Sequence, residues 1–93
     1  MNCTALELTS HVVQRMFSRR LDMQLVEKAV QNGLLIRRYE DDTPYPSVLL
    51  LYMEAGQPLH VVVAQNPATG ICVLITAYVP DPLLWDETFT RKL

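Results

Sequence analysis

A chain of 93 residues makes one domain, and an apolar content of 49% is enough for a small core. Charged residues are 19%, below the usual quarter or so, which excludes a disordered chain. A net charge of −2 and a pI near 5.5 exclude the strongly basic balance of an indiscriminate nucleic-acid binder, while Arg15, Arg19 and Arg20 leave room for a local basic patch.

Residues 1–9 carry little pattern and read as a lead-in, with a single domain over 10–93. No basic segment followed by an apolar run opens the chain, so no signal peptide is expected. The longest apolar run, Val48 to Met53, is too short to cross a bilayer. The cytoplasm is the expected compartment, with no membrane partner. Cys3 and Cys72 lie far apart without metal-ligand spacing. They are expected to be reduced, with Cys72 a small core residue.

Thr9 or Ser10 suits the N-cap of a helix running to about Arg20. Val12, Val13, Met16 and Phe17 form its buried stripe, and His11, Arg15 and Arg19 a second stripe beside it. That second stripe reads as a solvated face or as an arginine ridge facing phosphate, whose oxygens a planar guanidinium grips in pairs. Asp22 caps a second helix over Met23 to Asn32, and Gly33 stops it. The short link predicts an antiparallel helix pair. Leu34 to Glu40 follows as an edge strand marked by Arg37 and Arg38.

Asp41 to Pro46 is a loop, because two prolines cannot join a central ladder. Tyr45 within it reads as a packed ring or as a ring offered to a ligand. Asp41 and Asp42 have no further ligands at useful spacing, so no metal and no cofactor is expected. Val48 to Met53 is a strand, turning through Glu54 to Gln57 into the hairpin LHVVVAQNPATGICVLITAYVP, Leu59 to Pro80. With a loop of Asn66 to Gly70, Gln65 faces Ile71 and Leu59 faces Ala77. One face then carries Leu59, Val61, Val63, Val73, Ile75 and Ala77 and should meet the helices. The other carries His60, Val62, Ala64, Cys72, Leu74, Thr76 and Tyr78, with His60 beside Thr76. Pro80 and Pro82 end the last strand, and Leu83 to Thr88, with Trp85, reads as a short helical element.

The expected fold is therefore α+β: two N-terminal helices on one face of an antiparallel sheet of about four strands, with a short C-terminal helical element. His60 has two competing readings, a hydrogen-bonded structural residue and a site residue.

The segments SHVVQRMFSRR, Asn32-Gly33, YEDDTPYPSVLLL, PLHVVV and ITAYVPDPLLW follow one another in an order that resembles a bacterial family of small domains related to RelE-like and MqsR-like toxins. The resemblance covers about Ser10 to Lys92. It implies a RelE-like fold and a toxin-type mRNA endoribonuclease that needs no metal. The implied partners are mRNA or the ribosome and an antitoxin protein. The chemistry of such an enzyme needs a proton-transferring pair and cations at phosphate. His60, Tyr78 and His11 are the candidates for proton transfer. Arg15, Arg19, Arg91, Tyr45 and Trp85 are the candidates for holding RNA. The competing function is a non-catalytic binding or self-association module, such as a homodimer through the face of Val62 and Leu74.

Overall fold

The computed structural model describes all 93 residues. Its elements are β1 (Ala5–Leu8), α1 (Ser10–Ser18), α2 (Met23–Asn32), β2 (Leu34–Tyr39), β3 (Ser47–Glu54), β4 (Gln57–Gln65) and β5 (Ile71–Tyr78). They form two helices on a five-stranded sheet of order β1-β5-β4-β3-β2. The fold is α+β as expected, but the sheet is mixed, because β1 pairs with β5 in parallel. The chain before α1 thus supplies a strand that a four-stranded antiparallel sheet leaves out. Leu6 and Leu8, packed against the core, are what tie it down.

Local chemistry sets the helix ends. The Thr9 hydroxyl accepts from the Val12 amide at 3.1 Å, and the Asp22 carboxylate accepts from the Gln24 amide at 3.0 Å. α1 stops short of Arg20. There the amides of Arg20 and Leu21 return to the carbonyls of Phe17 and Met16, a Schellman closure with Arg20 at φ 56°. Gly33 ends α2 with φ −65°, so its role is not a positive φ. A Cβ there would collide with the Ala29 carbonyl oxygen and lie 2.9 Å from Leu50 Cβ. Ala55 and Gly56, at φ 51° and 79°, form the two-residue turn between β3 and β4.

The core lies between the helices and the sheet. Val12 and Met16 of α1 and Val26, Ala29 and Val30 of α2 meet Val48, Leu50, Leu59, Val61, Val63, Cys72, Leu74 and Ala77. Each large side chain buried there contributes about 1.5–3 kcal/mol. Val13 and Phe17, expected in the buried stripe of α1, are instead exposed.

The central hairpin departs from its expected register. The Asn66 amide donates to the Ile71 carbonyl at 2.9 Å, which shortens the loop by one residue. Gln65 therefore faces Cys72 and Val63 faces Leu74. A one-residue shift reverses a face, so Cys72 and Leu74 enter the helix-side core while Val73 and Ile75 do not. Ile75 then stands unpaired as a bulge, and beyond it Val62 faces Thr76 and His60 faces Tyr78. The bulge restores the parity, so His60, Thr76 and Tyr78 share a face as expected, although His60 pairs with Tyr78 and not with Thr76.

Two further expectations are corrected. Cys3 and Cys72 are joined in a disulfide, because β1 lies alongside β5 and brings Cys3 over Cys72. The C-terminal segment is not a helix. It makes one hydrogen-bonded turn from Asp81 and closes through a bridge between Trp85 and Lys92.

Candidate functional site

Two polar clusters form, one on the sheet face away from the helices and one between α1 and the free edge of β5. The first is centred on His60, on the face away from the helices. Its side chain is fully buried at 0% exposure. Nε2 lies 2.8 Å from the Phe89 carbonyl oxygen and Nδ1 lies 3.2 Å from the Tyr78 hydroxyl. A carbonyl can only accept, so Nε2 carries the proton and Nδ1 accepts from Tyr78. The Trp85 and Tyr78 rings meet the imidazole edge-on, at centroid distances of 4.5 and 5.3 Å. Burial lowers the His60 pKa against the raising effect of the Phe89 carbonyl, and burial likewise raises that of Tyr78. The result is a neutral imidazole with both nitrogens occupied under a lid formed by the C-terminal segment.

That lid has its own fastening. Oδ1 of Asp86 accepts from the amides of Thr90 and Arg91, at 3.0 and 3.3 Å, and from the Thr88 hydroxyl at 3.0 Å. Burial works against this carboxylate, but those bonds outweigh it and hold its pKa below the ordinary value. Phe89, a non-glycine residue at φ 59°, turns the carbonyl toward His60.

The second cluster opens to solvent. His11 and Arg15 of α1 and Arg19, its C-cap, line a groove of about 230 Å³ with Val12 and with Ile75, Thr76 and Ala77 of β5. No carboxylate lines it. Arg19 reaches the edge of β5, donating through Nη1 to the Ala77 carbonyl at 2.8 Å and to the Thr76 hydroxyl at 3.2 Å. This is possible because β1 pairs only with Ile71 to Leu74 and leaves the edge of β5 free beyond them. Arg19 is thereby held, while its remaining N–H groups stay available.

The sequence-derived candidates divide accordingly. His60, Tyr78 and Trp85 come together, as do His11, Arg15 and Arg19, but the two sets do not share a cleft. Tyr45 joins neither; its hydroxyl accepts from Asn66 Nδ2 at 3.0 Å in the hairpin turn. Arg91 lies in the lid, where its exposed side chain makes no hydrogen bond or ion pair. Leu74 is buried against the helices and not on the face that Val62 shares, so those two cannot form one self-association surface. The residues that sequence reasoning missed are Ile75 and Phe89. A bulge carries no local signature here, and Phe89 acts through its backbone. No three His, Cys, Asp or Glu side chains are grouped to hold a metal ion.

Fold and clusters together define a small α+β domain with one open cationic groove and one closed histidine cluster. The chain belongs to the family described as domain of unknown function (DUF4258), whose model matches residues 8–79. That span holds the whole groove and His60 with Tyr78, and ends before Trp85 and Phe89. No curated protein and no solved structure matches the chain. No helix is long and apolar enough to cross a membrane.

Proposed function

We propose that the chain is a toxin-type endoribonuclease domain, of the RelE-like kind, that takes RNA in the groove between α1 and β5. The observation that carries this reading is the composition of the groove: the exposed histidine stands beside two arginines, with no carboxylate lining the site. His11 takes the proton of a ribose 2′-hydroxyl, whose oxygen attacks the adjacent phosphorus. Arg15 and Arg19 stabilise the charge that builds on the phosphate oxygens. The 5′-oxygen leaves and takes its proton from water, giving a 2′,3′-cyclic phosphate and a 5′-hydroxyl. His60 and Tyr78 hold the lid and take no part in proton transfer, because both imidazole nitrogens are engaged away from solvent. The partners that go with this reading are mRNA, free or on the ribosome, and an antitoxin.

The test is cleavage of an end-labelled RNA by the purified protein, with and without ribosomes. Products should end in cyclic phosphate, and His11→Ala should cut about 10²–10⁴-fold more slowly with unchanged thermal stability. Full activity in His11→Ala would sink the assignment. RNA that is retained but left intact points to the second reading, a binding module. The lack of a second proton-transferring side chain in the groove favours that reading.

A further inference from the structure

The geometry points to the Cys3–Cys72 disulfide as a redox-sensitive fastener that sets the position of His11 relative to Arg19. The two sulfurs have unlike surroundings. Cys72 is fully buried in the core, whereas Cys3 is half-buried and lines an open groove of about 310 Å³ between β1 and α2, with Met1, Leu6, Met23 and Val30. A thiolate can therefore reach Cys3 and not Cys72.

Helix α1 is pinned at its two ends by different means. Its C-terminal end is held by Arg19 on the Ala77 carbonyl. Its N-terminal end follows β1 with only Thr9 between, and β1 pairs with β5 over just four residues. Apart from the disulfide and the partly buried packing of Met1, Leu6 and Leu8 on the core, the first residues are tied by exposed bonds. The Thr4 amide and hydroxyl donate to Gly70 and Thr69, and Gln65 donates to the Asn2 carbonyl. Bonds of that kind each contribute little. Breaking the covalent link thus loosens the end of α1 that carries His11 and leaves the Arg19 end in place.

The exchange itself is balanced with a dithiol as reductant. Its thiolate attacks Sγ of Cys3, the Cys3–Cys72 bond breaks, and Cys72 leaves with the electron pair and takes up a proton. The second thiol of the reductant then displaces Cys3, so the protein gains two electrons and the reductant becomes a disulfide.

Hydrogen exchange on the full chain, with and without dithiothreitol, tests the fastener at labelling times short against global unfolding. Peptides over residues 3–13 should exchange about tenfold faster on reduction, while peptides over β3 and β4 stay protected. Cys3→Ala should reproduce the reduced pattern without added thiol. Equal exchange at residues 3–13 overturns the inference, as does loss of protection throughout the domain. So does uptake of two alkyl groups by denatured, unreduced protein, which would show that the bond does not form. The consequence for RNA cleavage rests on the nuclease reading: reduction should slow cleavage severalfold. If no cleavage is seen in either state, that reading fails, and the exchange result still decides the fastener.

Discussion

His60 donates through Nε2 to the carbonyl oxygen of Phe89, 29 residues later in the chain, at 2.8 Å. That bond joins the middle strand of the sheet to the lid. Replacing His60 by Ala removes it, leaves the Tyr78 hydroxyl without its partner and opens space beside Trp85. The expected loss is about 2–4 kcal/mol of unfolding free energy, read from urea denaturation. At a temperature where the variant is folded, RNA cleavage should match the parent. A large fall in cleavage at full folding would return His60 to the chemistry.

The same burial makes the lid sensitive to acid. The His60 pKa is lowered in the folded state from an ordinary value of 6.5. Stability from the neutral imidazole is therefore present above pH 6.5 and is lost as pH falls toward and through the folded-state value. In that window the slope is at most ~1.4 kcal/mol per pH unit. Asp86, whose pKa is lowered, contributes with a separate window: its share is present above 3.8 and disappears as pH drops through its own folded value. Urea titrations from pH 7 to 4 should show the first slope in the parent and not in His60→Gln.

Some of this was legible in the residues. Thr9 and Asp22 announced their helices, Asn66 to Gly70 announced the hairpin turn, and Arg37 with Arg38 marked the edge strand. The four-residue spacing of His11, Arg15 and Arg19 put them on one line. Four short residues with two leucines do not announce a parallel strand, so β1 and the cysteine pairing that depends on it were illegible. The bulge at Ile75 was equally silent, since it is set by two competing registers. His60 and Tyr78 could be placed on one face. That a backbone carbonyl from Phe89 would close over them follows from tertiary packing alone.

Arg20 offers a stabilising change. It takes φ 56° at the end of α1, where a side chain meets its own backbone. Arg20→Gly should gain about 0.5–1 kcal/mol, seen as a raised melting temperature. A loss would mean that the arginine side chain contributes more than its backbone strain takes away.

Gly33 predicts the opposite result for an equally small change. Its φ is ordinary, but the space for a methyl group is taken by the Ala29 carbonyl and Leu50. Gly33→Ala should destabilise by about 1–3 kcal/mol, with the melting temperature as the readout. A neutral result would show that α2 can slide on β3.

In the groove, Thr76→Val keeps the shape and removes one of the two acceptors that hold Arg19. Cleavage should fall less than about tenfold, and Arg19→Ala should fall by about 10². Steady-state rates on one RNA check both. Equal and full rates in the two variants would separate Arg19 from catalysis.

Arg19 also guards the sheet against other chains. Past Leu74 the outer edge of β5 has no neighbouring strand, and Ile75 is exposed beside it. Bare backbone next to an apolar side chain invites a strand from another molecule. The guanidinium occupies the Ala77 carbonyl on that edge and sets a charge across it. A chain that loses Arg19 therefore loses its protection from clumping along with its phosphate grip, and light scattering at rising concentration would show the two losses arriving together.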